Sequence, residues 1–139
     1  MDEGMESIPP DLQASLICDD VRREHTGKFM LIGLFDAIAA RTFPVTHPRL
    51  FVVNRWCGGL GEYEQRTRIY RPDQVTLVAE TRPMRFRLPS TDANVTNVEC
   101  FINLKFDEPG TYWVETLLSG DLKMRYPLRV GLAKVAGGA

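Results

Sequence analysis

Apolar and polar positions alternate with a period of two along most of the chain, the spacing of side chains that project to opposite faces of a β-strand. Leu12, Ala14, Leu16 and Cys18 share one phase against Gln13, Ser15 and Asp19, with Ile17 out of pattern, which predicts a half-buried strand. After a polar connection closing on Thr26-Gly27, the run Lys28 to Phe35 is apolar on both phases. Such a strand is covered on both faces or lies against a partner. Ala37 to Ala40 reads as a helical turn capped by Asp36, ended by Phe43-Pro44 and His47-Pro48, which impose extended geometry.

Arg49 to Trp56 forms a third strand, and Gly58-Gly59-Leu60-Gly61 supplies the backbone freedom for a reversal into Glu62 to Tyr70. There Tyr63, Thr67 and Ile69 share a phase, opposed by Glu62, Glu64, Arg66 and Arg68. Beyond the turn Arg71-Pro72-Asp73-Gln74, the short inward sets are Val75, Leu77, Ala79 and then Met84, Phe86, Leu88, with Arg85 and Arg87 outward. Val98, Cys100, Ile102, Leu104 and Phe106 read as inward, leaving Phe101 on the outer phase. Asp107-Glu108-Pro109-Gly110 leads to an inward set of Tyr112, Val114 and Leu118. Ser119-Gly120 leads to Leu122, Met124, Tyr126, Leu128 and Val130, alternating with Lys123, Arg125, Pro127 and Arg129. Pro127 lacks a ladder donor, so Asp121 to Val130 is predicted to be an edge or interrupted strand. Eight or nine short strands joined by such turns predict an all-β, two-layer antiparallel β-sandwich, with a closed barrel as the alternative.

The 139 residues suit a single core, placed at 12–132 between an acidic arm, 1–11, with Pro9-Pro10, and a short flexible tail, 133–139. A 44% hydrophobic and 25% charged composition with a net charge of −1 is that of a globular chain and argues against a polyanion binder. No apolar run approaches membrane-spanning length, and the opening Met-Asp-Glu-Gly-Met-Glu is the opposite of a basic secretory region, so the expectation is a cytoplasmic protein without membrane attachment. Cys18, Cys57 and Cys100 cannot all pair within one chain and lack metal-ligand spacing. Cys18 and Cys100, on apolar phases, read as reduced thiols packed as small hydrophobes.

Gly110-Thr111-Tyr112, preceded by Asp107 and followed by Trp113-Val114, resembles the tyrosine corner of immunoglobulin-like sandwiches. The resemblance implies that the Tyr112 hydroxyl bonds back to the main chain, with Gly110 as part of the corner. Val114 stands where such domains carry a cysteine, so the inter-sheet disulfide is missing. A broader resemblance runs from about Ala14 to Val130, through Leu16-Ile17-Cys18-Asp19-Asp20-Val21, Lys28 to Asp36, His47-Pro48-Arg49-Leu50 and Pro109-Gly110-Thr111-Tyr112. These segments look like an uncharacterised bacterial family known only as a domain of unknown function, and they bring no activity with them.

Candidate chemistry is sparse. Asp19, Asp20 and Asp36 fall toward opposite ends of a predicted hairpin and form no metal or acid–base set. His25 and His47 lack a motif that would make either a general base, and Ser15, Ser90 and Ser119 lack a nucleophile-elbow context. Gly58-Gly59-Leu60-Gly61 lacks the lysine and hydroxyl of a phosphate-binding loop. No catalytic residue, metal site or cofactor is expected. The expectation is a non-enzymatic module that binds a protein partner or itself through Phe29, Leu31 and Phe35. The alternative is anion, small-ligand or nucleic-acid binding through the outward Arg66, Arg68, Arg85, Arg87, Lys123, Arg125 and Arg129, although the scarcity of aromatics on that phase argues against nucleic acid.

Overall fold

The computed structural model describes residues 7–133, which form ten strands in two packed sheets. In chain order these are β1 (Asp11–Arg23), β2 (Phe29–Leu34), β3 (Ala37–Ala40), β4 (Val45–Cys57), β5 (Gly61–Tyr70), β6 (Leu77–Glu80), β7 (Met84–Leu88), β8 (Asn94–Phe106), β9 (Gly110–Leu118) and β10 (Asp121–Leu132). The first sheet has the order β2-β1-β4-β8; the second has β3-β10-β9-β5-β6, with β7 also on β5. Both sheets are open, so the fold is the two-layer sandwich and not the closed barrel.

The tenth strand is β3, and it replaces the expected helical turn. Four residues cannot nucleate an isolated helix. Instead Ile38 and Ala40 are buried, Ala37 and Ala39 are exposed, and the segment pairs with Arg129–Leu132. That pairing is parallel, which makes the second sheet mixed and not purely antiparallel. Asp36 and Ala40 carbonyls accept from Arg129 N (3.1 Å) and Ala133 N (2.7 Å), extending the ladder at both ends.

The connections β4–β5 and β8–β9 cross between sheets, and the tyrosine corner sits at the second crossing. The Tyr112 hydroxyl donates to the Glu108 carbonyl at 2.7 Å, and its ring meets Phe106 edge-on at 4.8 Å. A Cβ on Gly110 would lie 2.7 Å from Pro72 Cγ, so the corner packs directly on the β5–β6 turn. Between the sheets, Ile17, Leu50, Val52, Phe101, Leu104 and Phe106 face Ile69, Tyr112, Val114, Leu128 and Val130.

Two irregularities shift the phases read from sequence. A bulge between Leu12 and Ala14 places Ser15 opposite Asn54 and Ile17 opposite Val52, so Ile17 is core and Leu16 is exposed. In β8, Asn97, Glu99 and Phe101 are buried, whereas Cys100 and Ile102 are exposed. Asn103, at φ 56°, then resets the phase and returns Leu104 and Phe106 to the core. Asparagine tolerates this left-handed conformation better than most residues. The predicted inward set of β8 is thus correct only after Asn103, and Cys100 is not a packed thiol. Val75 and Leu77, expected inward, are exposed; Ala79 of the same set meets the core as expected, and Val78 joins it.

Residues 1–6 of the expected arm lie outside the described residues. Ile8 exchanges backbone hydrogen bonds with Leu60 (2.9 and 2.8 Å), Pro10 is buried, and Asp11 opens β1. Gly59 allows this close approach, because a Cβ there would meet Ile8 O and Pro10 Cα at 2.7 Å. Of the expected tail, 134–139 lie outside the described residues.

Candidate interaction surface

The β1–β2 hairpin carries the apolar segment singled out in the sequence. Its register pairs Cys18 with Leu34 and Arg23 with Phe29, and among the described residues β2 has no neighbour on its other side. Met30, Ile32 and Leu34 are 43%, 42% and 60% exposed, while Phe29, Leu31 and Phe35 are half-buried. Phe29 and Leu31 line a cleft of about 740 Å³ together with Leu16, Val53 and Arg55. Arg23 stacks over Phe29 at 4.5 Å and donates to the Gly27 carbonyl at 3.2 Å. Phe35 packs against the core and its ring lies 5.9 Å from that of His47. The exposed apolar row of this strand is therefore the one alternating with the expected residues, because the protein's own sheet and core take up the other.

The outward arginines are matched by carboxylates. Arg125, Glu115, Arg68 and Glu80 form one cross-strand row of alternating charge through β10, β9, β5 and β6. Arg125 bonds Glu115 at 2.7 Å and Arg68 bonds Glu80 at 3.0 Å, with Arg66 at 3.5 Å from the same Glu80. The Glu80 hydrogen bond raises the already high pKa of Arg68. Arg85 and Arg87 stand opposite Glu64 and Glu62, and Arg129 is 3.9 Å from Asp36. Lys123 is exposed on β10. Opposite charges in register stabilise a sheet surface and leave little net field for an anion.

Sequence reading missed a buried polar band between the sheets. Gln65 Oε1 accepts from Trp56 Nε1 (2.8 Å) and Asn97 Nδ2 (3.0 Å). Gln65 Nε2 donates to Glu99 Oε1 at 2.7 Å, and the Thr67 hydroxyl donates to the same oxygen at 2.8 Å. Ser15 Oγ lies 2.9 Å from the Tyr126 hydroxyl and accepts from Thr116 at 3.4 Å. Asn54 is fully buried beside this band, and neither atom of its amide has a partner. A signal existed for Gln65, which shares the phase of Tyr63, Thr67 and Ile69, but its polarity hid it.

Where the open edges of the two sheets face each other, a groove of about 770 Å³ runs between residues 98–105 of β8 and residues 78–84, which comprise the end of β6, its link to β7 and the first residue of β7. Glu99 forms part of its wall, and among the described residues β8 has no strand on this side.

The candidate chemical groups stay apart. Asp19 Oδ2 abuts Gly33, Asp20 pairs with Arg22 at 3.1 Å, and Asp36 lies beside Arg129. The Arg22 hydrogen bond holds the Asp20 carboxyl below its usual range. Among the described residues no three metal-ligating side chains gather. Burial pushes the Cys18 thiol above its ordinary pKa, which disfavours the nucleophilic thiolate. His25 is exposed in the hairpin loop, and His47 Nε2 is buried without a partner.

No helix among the described residues is long and apolar enough to cross a membrane. A search of curated proteins finds no match to the chain. A family model does match, over residues 13–131, which spans the sandwich from β1 to β10. The chain therefore belongs to a family of unknown function, DUF6941.

Proposed function

We propose that this protein is a non-enzymatic interaction module whose partner is a second copy of itself, docked through the β2 edge of the first sheet. The observation that carries this reading is the exposed row Met30, Ile32 and Leu34 on a strand whose outer backbone edge is unpaired among the described residues. Two such edges aligned antiparallel about a two-fold axis continue the sheet across both copies and bring the apolar rows together, the isologous contact expected of a homodimer. Leu16, 42% exposed on the neighbouring strand, widens the apolar surface. Three free cysteines suit a reducing compartment, and we place the module in the cytoplasm.

Sedimentation equilibrium of the wild type and of Ile32→Lys tests the reading. The wild type should sediment as a dimer at micromolar concentration and the variant as a monomer with unchanged circular dichroism. A monomeric wild type would overturn it.

A further inference from the structure

The groove between β8 and the β6–β7 link is distinct from the β2 edge. Its long wall is a free strand edge, so the backbone N–H and C=O groups that alternate outward along 98–105 lack a ladder partner on that side among the described residues. An edge of this kind is a template for strand addition. Set into the wall is a carboxylate that is 6% exposed and has no ion-pair partner among the described residues. Both hydrogen bonds to Glu99, from Gln65 and Thr67, arrive at Oε1. They fix the side chain and leave Oε2 with no donor among the described residues. A buried carboxylate is costly without a cation, and here its second oxygen borders an open groove.

We propose that this groove takes an extended peptide segment of a partner protein, added as a strand along β8, with a lysine or arginine of that segment paired to Glu99. The register gives the specificity. Within the first sheet Glu99 stands opposite Val52, and Phe101 stands opposite Leu50, all four facing inward. A strand added to the free edge continues those rows. The residue opposite Glu99 projects its side chain to the same inward side, where a cation reaches Oε2. The residue opposite Phe101, two positions away, faces the apolar interior and should be apolar. At Asn103, whose φ of 56° shifts the inward-facing phase of β8 by one residue, the row formed by Glu99 and Phe101 ends, so the specifying stretch of the added strand is short.

Selection of a phage-displayed library of random ten-residue peptides on the full chain tests this. Binders should share one basic residue with an apolar residue two positions away. A synthetic copy of the best binder should lose at least about tenfold in affinity when its basic residue becomes glutamine, the scale of a charge-assisted bond. Glu99→Gln should bind the basic and glutamine peptides alike. Because Glu99→Gln also touches the interior, hydrogen exchange on the wild type provides a second reading, in which the peptide should slow exchange of the amides of residues 98–102. Absence of binders, binders without a basic residue, or protection confined to β2 would each overturn the proposal; occupancy of this edge by a second copy would show as β8 protection that rises with protein concentration and needs no peptide, and would also overturn it.

Discussion

Trp56 and Gln65 join the two sheets through a single buried hydrogen bond, indole Nε1–H to amide Oε1 at 2.8 Å. Gln65 also accepts from Asn97 and donates to Glu99, so one side chain satisfies three groups of the opposite sheet. Gln65→Met keeps the volume and removes all three bonds. It should destabilise the fold by about 3 kcal/mol or more, since each buried group left unsatisfied costs about 1–3 kcal/mol. Asn54→Leu is the contrasting case. Its amide is buried without partners, so an apolar replacement of similar shape should be neutral or stabilising. Urea denaturation of both variants checks the pair.

Tyr112→Phe removes the bond to the Glu108 carbonyl and nothing else of comparable size. A loss of about 1 kcal/mol is expected, the usual scale of one intramolecular hydrogen bond. Thermal or chemical denaturation measures it, and an unchanged midpoint would mean that the corner does not depend on the hydroxyl.

The parts of the fold legible in the sequence were those where one face is uniformly apolar and the ladder is unbroken. Tyr112, Val114 and Leu118, and likewise Tyr126, Leu128 and Val130, lie as their alternation predicts. The failures share a physical cause. The bulge before Ala14 and the left-handed Asn103 each displace the phase by one residue, and neither leaves a hydrophobic signature. Alternation puts Asn97 and Glu99 on the outer phase of β8, because polarity normally marks the surface; only the partners supplied by Gln65 and Thr67, from a distant strand, make their burial possible. For the candidate surface, the sequence identified β2 but not its exposed row, which depends on how the hairpin lies against its own sheet.

Burial pushes the Tyr126 phenol up to about 12, only partly offset by its bond with Ser15. An unfolded tyrosine ionises near pH 10, so between about pH 10 and 12 the folded state holds the proton more tightly than the unfolded state. Stability should be indifferent to this group below pH 10 and fall by at most about 1.4 kcal/mol per pH unit above it. Tyr126→Phe should flatten that alkaline limb, as read from denaturation midpoints between pH 9 and 11.5; an equally steep limb in the variant would assign the effect elsewhere.

Pro127 guards the second sheet. From Asp121 to Leu128, β10 pairs only with β9, and β3 covers its other side from Arg129 onward. Arg129 N donates to Asp36, away from β9, and by alternation the residue at 127 would aim its donor the same way, into the open edge. Proline removes that donor. Pro127→Val should restore it and promote concentration-dependent higher-order association, seen as increased light scattering at unchanged fold. Unaltered scattering would mean that the flanking Lys123, Arg125 and Arg129 suffice to protect the edge.

Self-association through β2 is tested most directly by hydrogen exchange as a function of protein concentration. Amides of Phe29–Leu34 should exchange more slowly as concentration rises through the micromolar range, while those of Asp121–Leu128 should not change. Exchange of β2 that is independent of concentration, or concentration-dependent protection appearing at β10 instead, would contradict it.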